Sequence, residues 1–291
     1  MDLDLPAWSE PFVGERRAAL HLPRPFGDVR REWAWGGATG AGLIVAVIDS
    51  GIERDHPAVG GKLRQSVRVD LSEDEARVVD DPDAADVVGH GTACAGIIHA
   101  FAPHAEFLSV RVLGPDNRGK GAAFAAGLEW AIDQGASVVN LSLSSKSDAM
   151  FGIFHELADA AYFANVLLVS AANNAPGASY PSLFAAVVSV AAHDLDDPWT
   201  FFYNPSPPVE FGARGVDVDV AWRNGSRIVA TGNSFAAPHM AGIATLIREK
   251  HPGASPFEVK AILAGTSSGA MPETNSGEAE APPLDSRSRS G

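Results

Sequence analysis

Short apolar runs alternate along this chain with stretches of helical period, and that alternation limits the folds open to it more than any other feature. The runs at 44–48, 107–113, 138–143, 166–171 and 187–192 have strand length and are rich in Val, Ile and Leu. Between them stand helical patterns at 89–99, 122–134 and 151–163. In the second of these, Phe124, Leu128, Ala131 and Ile132 fall on one side. Apolar strands separated by helices imply a parallel sheet covered on both faces. With 291 residues, 46% of them hydrophobic, the chain can bury one large α/β core or two small ones. No internal repeat interrupts the pattern.

Composition excludes several classes. A formal charge of −14 and a pI near 5.0, with no basic cluster, argue against nucleic acid and anionic membrane surfaces as partners. No apolar run approaches the roughly 20 residues that a bilayer span needs. Met1-Asp2-Leu3-Asp4-Leu5-Pro6 lacks the basic and apolar regions of a secretory signal. A single cysteine, Cys94, excludes an internal disulfide and fits a reducing compartment. The expectation is a cytoplasmic protein. Nothing in the sequence speaks to its oligomeric state.

Chemistry concentrates in three stretches. Gly232-Asn233-Ser234-Phe235-Ala236-Ala237-Pro238-His239-Met240-Ala241-Gly242 follows a strand at 227–230 and opens an apolar helix at 235–247 that continues to Lys250. Ser234 stands at the mouth of that helix, where backbone N–H groups face any negative charge that forms. Ile44-Val45-Ala46-Val47-Ile48-Asp49 is a buried strand ending in an acid, and Gly89-His90-Gly91-Thr92 opens a helix of small residues. A strand-end acid, a glycine-flanked His and a serine at a helix start are each ordinary alone. Together they supply an orienting acid, a base and a nucleophile.

Asp49, His90 and Ser234 stand in that order, 41 and then 144 residues apart, and in this the chain resembles the subtilisin-like serine proteases. The resemblance covers residues 27–266. It leaves an N-terminal arm at 1–26 and an acidic, polar tail at 267–291, which is expected to be disordered. It implies a three-layer α/β/α sandwich on a mainly parallel sheet, and a serine endopeptidase acting on peptides or proteins. Ser234 would attack the carbonyl, His90 would take and return the proton, and Asp49 would hold the imidazole. The lead-in Thr39-Gly40-Ala41-Gly42 and the segment Ser50-Gly51-Ile52 through His56-Pro57, taken as a surface loop, are similar to the family's. With only the short arm ahead of them, folding without a pro-segment is expected.

The resemblance carries over residue by residue to the substrate site. Family members end one strand in Ala-Ala-Gly-Asn; here Ala171-Ala172-Asn173-Asn174 makes Asn174 the oxyanion donor, in preference to Asn173. The segment that binds substrate backbone maps onto Ser142, Leu143, Ser144 and Ser145, and its glycine-rich partner onto Asn117 to Gly121, with Arg118 and Gly119 at its centre. Ala172 and Asn173 complete the set. Serines at 144 and 145, with Asn173, replace three glycines, which implies a narrower or more polar first pocket. Cys94, four residues after His90, resembles the thiol of thiol-containing subtilases and predicts inactivation by mercurials. Phe235 replaces a methionine, which predicts slow inactivation by peroxide. Asn233 in place of the usual Thr has no explanation in the sequence.

No cofactor is expected. Only His99, Ala100 and Phe101 separate Ile98 from Ala102, so the calcium loop that many members insert here is missing, and calcium dependence stays open. His99 and His104 are expected at the surface or core edge. Asp80-Asp81-Pro82-Asp83 lacks the spacing of an EF-hand, and Gly114 to Gly121 lacks the Gly-Lys-Ser/Thr of a phosphate loop. Between Asp70 and Asp86 eight acids stand against Arg77 alone, which reads as a solvated loop or, more sharply, as a cleft rim attracting basic substrates. Two other functions fit the motifs. A transpeptidase or macrocyclase would need an inserted cap, and none long enough is found. A catalytically silent binding domain would need a broken triad. Trimming of a specific peptide or leader suits such a protease.

Overall fold

The computed structural model describes residues 29–72, 75–205 and 208–268. The expected arm lies outside them, as does the tail beyond Ser268. Eleven strands and six α-helices follow in chain order: α1 (Arg31–Trp35), β1 (Ile44–Asp49), β2 (Leu63–Leu71), β3 (Ala76–Asp80), α2 (His90–Phe101), β4 (Glu106–Arg111), α3 (Gly121–Asp133), β5 (Val138–Leu141), α4 (Phe151–Phe163), β6 (Leu167–Ala171), β7 (Val188–His193), β8 (Phe201–Tyr203), β9 (Phe211–Arg214), β10 (Val218–Trp222), β11 (Ser226–Ala230), α5 (Asn233–Lys250) and α6 (Pro256–Thr266).

Nine strands form one sheet in the order β3-β2-β4-β1-β5-β6-β7-β9-β8, and β10 pairs with β11 in a separate hairpin. Every pairing within the run from β2 to β9 is parallel; only the edge strands β3 and β8 are antiparallel. Helices cover both faces, so the alternation read from sequence produces the three-layer sandwich.

Strand geometry then decides what each face receives, because successive side chains point to opposite sides. Val45 and Val47 of β1 pack in the cluster that holds Ala93, Cys94 and Ile98 of α2 and Phe235, Ala237 and Ala241 of α5. Ala46 and Ile48 pack in the other cluster, with Phe124 and Leu128 of α3 and Phe154 and Ala158 of α4. Asp49 shares its parity with Val45 and Val47, so the acid at the strand's end faces α2 and α5.

Three expectations need correction. The acidic stretch is no solvated loop: β2 and β3 form a hairpin through it, and Asp81 is buried in an ion pair with Arg111 at 3.1 Å. The stretch after β1 is no plain surface loop, since Gly51, Ile52 and His56 are buried. His56 Nδ1 accepts from the Ala58 N–H, and its Nε2 lies 3.2 Å from the Ser226 carbonyl oxygen. Finally, Ser267 and Ser268 belong to the folded part. The Ser268 N–H donates to the Phe201 carbonyl, and Arg31 Nη2 donates to its hydroxyl. The structure places His99 half-buried and His104 exposed, as the sequence suggested.

Candidate active site

The carboxyl ends of β1, β4, β5 and β6 open on one edge of the sheet, where a parallel α/β sandwich leaves its crevice. A cleft of about 570 Å³ lies there. Its lining includes His90, Ser142, Leu143, Ser144, Ala172, Asn173, Asn174, Arg118, Gly119 and Ser234, so every expected substrate-binding residue meets there. Among the described residues, no acid of the 70–86 stretch lines it, which speaks against that stretch as a cleft rim for basic substrates.

Asp49 is fully buried, and both its carboxylate oxygens lie close to His90 Nδ1, at 2.9 and 2.8 Å. Oδ1 also accepts the Ser50 N–H at 2.7 Å, which fixes the carboxylate against its own backbone. Such a pair makes Nδ1 the protonated nitrogen and leaves Nε2 with its lone pair. The His90 pKa is raised well above the ordinary 6.5. Burial is the largest influence and works the other way, but it is outweighed by attraction to Asp49 first, with Cys94 and the hydrogen bonds to both adding to it. Burial pushes the Cys94 thiol up, so it stays neutral.

Why His90 sits there follows from local chemistry that sequence reading did not reveal. Asp86 caps the α2 start: Oδ1 accepts from Ser50 Oγ (2.8 Å), the Val88 N–H (3.0 Å) and the Gly89 N–H (2.7 Å). Its Oδ2 accepts from the Thr92 N–H (2.8 Å) and Thr92 Oγ1 (2.6 Å). Four N–H groups at a helix start have no partner of their own, and an acid there also suits the helix dipole. The only signal was position, an acid just before Gly-His-Gly. Gly89 holds φ +113°, and a Cβ on Gly91 would stand 2.0 Å from the Gly51 carbonyl oxygen. Both glycines are therefore needed for α2 to start against β1.

Ser234 lies in the first turn of α5. Pro238, four residues on, has no N–H to give the Ser234 carbonyl. That carbonyl accepts instead from Ser142 Oγ at 2.7 Å and from Cys94 Sγ at 3.7 Å. Asn140 Nδ2 in turn donates to Ser142 Oγ at 3.0 Å. Cys94 thus backs the Ser234 peptide group.

The structure also accounts for Asn233. Its Oδ1 accepts the Ala192 N–H at 2.8 Å, its Nδ2 donates to the Ala172 (3.1 Å) and Asn173 (3.3 Å) carbonyls, and its backbone N–H donates to Asn174 Oδ1 at 2.9 Å. One side chain fastens the α5 start to the ends of β6 and β7. The Asn233 backbone N–H holds Asn174 by its oxygen, which leaves the Nδ2 donor for the cleft. Asn173 uses its Oδ1 on the Ala175 N–H.

The Phe235 ring tilts against the His90 imidazole at 5.3 Å between centroids. Among the described residues no hydrogen bond joins Ser234 Oγ to the imidazole. For metal binding, the donor atoms of Asp49, His90 and Cys94 lie within 4.8 Å of one another, all buried. A soft metal there would compete with the Asp49–His90 pair. Among the described residues no helix is long and apolar enough to cross a membrane.

An acid, a histidine and a serine gathered at the carboxyl edge of a parallel α/β sandwich define the layout of a serine hydrolase. Comparison with known proteins narrows the class. Residues 40–283 match the model of the subtilase family. Subtilisin BL of Lederbergia lenta is 34% identical over 241 residues, covering 79% of this chain and 85% of that protein. Thermitase of Thermoactinomyces vulgaris is 30% identical over 245 residues, covering 80% and 84%. Among solved structures, the S41 psychrophilic protease superposes with a TM-score of 0.67 at 27% identity, covering 78% of this chain and 83% of that one. The chain belongs to the subtilase family and is a serine peptidase.

Proposed function

We propose that Asp49, His90 and Ser234 act as one catalytic unit that hydrolyses internal peptide bonds of peptides or proteins. The observation that carries this reading is the buried Asp49–His90 pair, in which the Nδ1–H donates to the carboxylate and Nε2 is left as the base, in the cleft that Ser234 also lines. Ser234 Oγ attacks the substrate carbonyl and Nε2 takes its proton. The oxyanion accepts hydrogen bonds from the Asn174 side-chain Nδ2, whose amide is held by its oxygen, and from the Ser234 backbone N–H. His90 returns the proton to the leaving amine, and water then releases the acyl group by the same steps in reverse order. The proposal requires the Ser234 side chain to bring Oγ to Nε2 within the cleft that both line, and such bonds tighten when substrate binds.

The test is labelling by a fluorophosphonate. Wild-type protein should lose peptidase activity as Ser234 is modified, and Ser234→Ala should neither label nor cleave. Labelling without peptide hydrolysis would favour a silent or synthetic role. Catalysis without a metal is part of the proposal, supported by the four-residue connection (102–105) between α2 and β4, which leaves no room for the calcium loop. Dialysis against EDTA should leave turnover unchanged. So is a cytoplasmic location, supported by the single buried cysteine; cell fractionation checks it.

A further inference from the structure

Three cations, Arg118, Lys120 and Lys146, line the cleft, and no carboxylate does among the described residues. This reverses the chain's overall charge of −14. Arg118 and Lys120 come from the loop ahead of α3, and Lys146 from the segment after β5. All three are exposed, and none enters an ion pair among the described residues. The acids nearest in sequence stay outside this lining, Asp116 in an adjoining hollow that it shares with Arg118 and Lys120. Asp116 Oδ1 accepts the Arg118 N–H at 3.3 Å, and Asp148 Oδ1 accepts the Tyr180 hydroxyl at 3.2 Å. Apart from His90, Ser142, Asn174 and Ser234, the remaining polar lining, Asn117, Ser144, Ser145, Ser147 and Asn173, can donate hydrogen bonds but adds no negative charge.

A groove lined by one sign of charge concentrates ligands of the other sign, the more so between low-dielectric walls. Unpaired cations also reject a basic side chain in the same place. We infer that the enzyme selects peptides with Asp or Glu among the residues that occupy this cleft before the cut. The inference rests on the peptidase reading above and names its substrate class. Each exposed ion pair contributes up to about fivefold. One acid should therefore shift kcat/KM by about fivefold and two or three by tens of fold. The effect should shrink as salt shortens the screening length, about 8 Å at 0.15 M.

The test uses internally quenched peptides identical but for Glu, Gln or Lys at each of the positions before the cut. They are given to the wild-type full chain and to the double variant Lys120→Glu/Lys146→Glu, with fluorophosphonate labelling of Ser234 counting active enzyme in both. The expected order for wild type is Glu over Gln over Lys, about five- to fifty-fold overall, weakening from about 0.05 M to about 0.5 M salt. In the variant the order should invert. Equal rates for the three peptides, or a preference untouched by the charge reversal, would overturn the inference while leaving the peptidase intact. Absence of both labelling and hydrolysis would overturn the peptidase reading and this inference with it.

Discussion

His90 must be neutral to act as a base, yet Asp49 favours its cation. With the pKa raised well above 6.5, the imidazole is free to accept a proton only on the alkaline side. kcat/KM should therefore fall as pH drops through a point well above 6.5, and Asp49→Asn should move that limb down as it lowers kcat. A pH–rate profile of both proteins checks this. Asn174→Ala should lower kcat by about 10²–10³ with KM little changed, a range known from subtilisin itself and carried over on the family relationship. Asn233→Ala should also lower kcat, since it frees the α5 start from the ends of β6 and β7 and so shifts the backbone N–H that holds Asn174. Thr at 233, the residue the family usually has there, should restore part of the loss; a KM effect alone would contradict the positioning role. Asp49, His90, Ser234 and Asn174 were legible in the sequence because each stands in a short motif. Asn233 and Asp86 were not, because most of what they hold are backbone groups, and backbone partners leave no mark on residue identity.

Among elements, α5 carries the most. Its start holds Ser234. At its other end Glu249 Oε2 accepts the backbone N–H groups of Thr39 (2.7 Å), Gly40 and Ala41 (3.1 Å). The Thr-Gly-x-Gly lead-in is thus a nest of donors wrapped around a carboxylate. Glu249→Ala should cost about 2–3 kcal/mol of stability, since three donors lose a charged partner while Glu249 is half-buried. Urea unfolding measures it, and a change under about 0.5 kcal/mol, the range of an ordinary surface substitution, would refute the account. The helices and central strands were readable because both their faces or one full stripe are apolar. β2 and β3 were hidden by Arg, Asp and Glu on an edge hairpin, and β8 and β9 by being only three and four residues long. α1, at five residues, is too short to show a period.

For the molecule as a whole, two histidines set opposite pH limits. His239 is 3% exposed, and its pKa is lowered to about 4, by burial first, then by Arg214 and His193, against a backbone hydrogen bond to Phe235 that raises it. The folded state therefore takes up this proton later than the unfolded chain. Stability is complete above about 6.5 and falls towards pH 4, by about 3 kcal/mol once the full shift is expressed. His90 has the opposite sign: its contribution is present below about 6.5 and is lost as pH rises through its raised pKa. Thermal melts from pH 4 to 7 should show the first loss, and His239→Gln should flatten that slope. An unchanged slope would assign the acid sensitivity elsewhere.

His90 and Ser234 each begin a helix, α2 and α5, and those helices pack on each other across one face of the sheet. The cations that discriminate among peptides stand instead on the loop ahead of α3 and on the segment after β5. Reactivity and taste are thus housed in separate parts of the chain. A breeder of new cutters could replace the second set wholesale, grafting walls from a relative with another appetite, and keep the engine running.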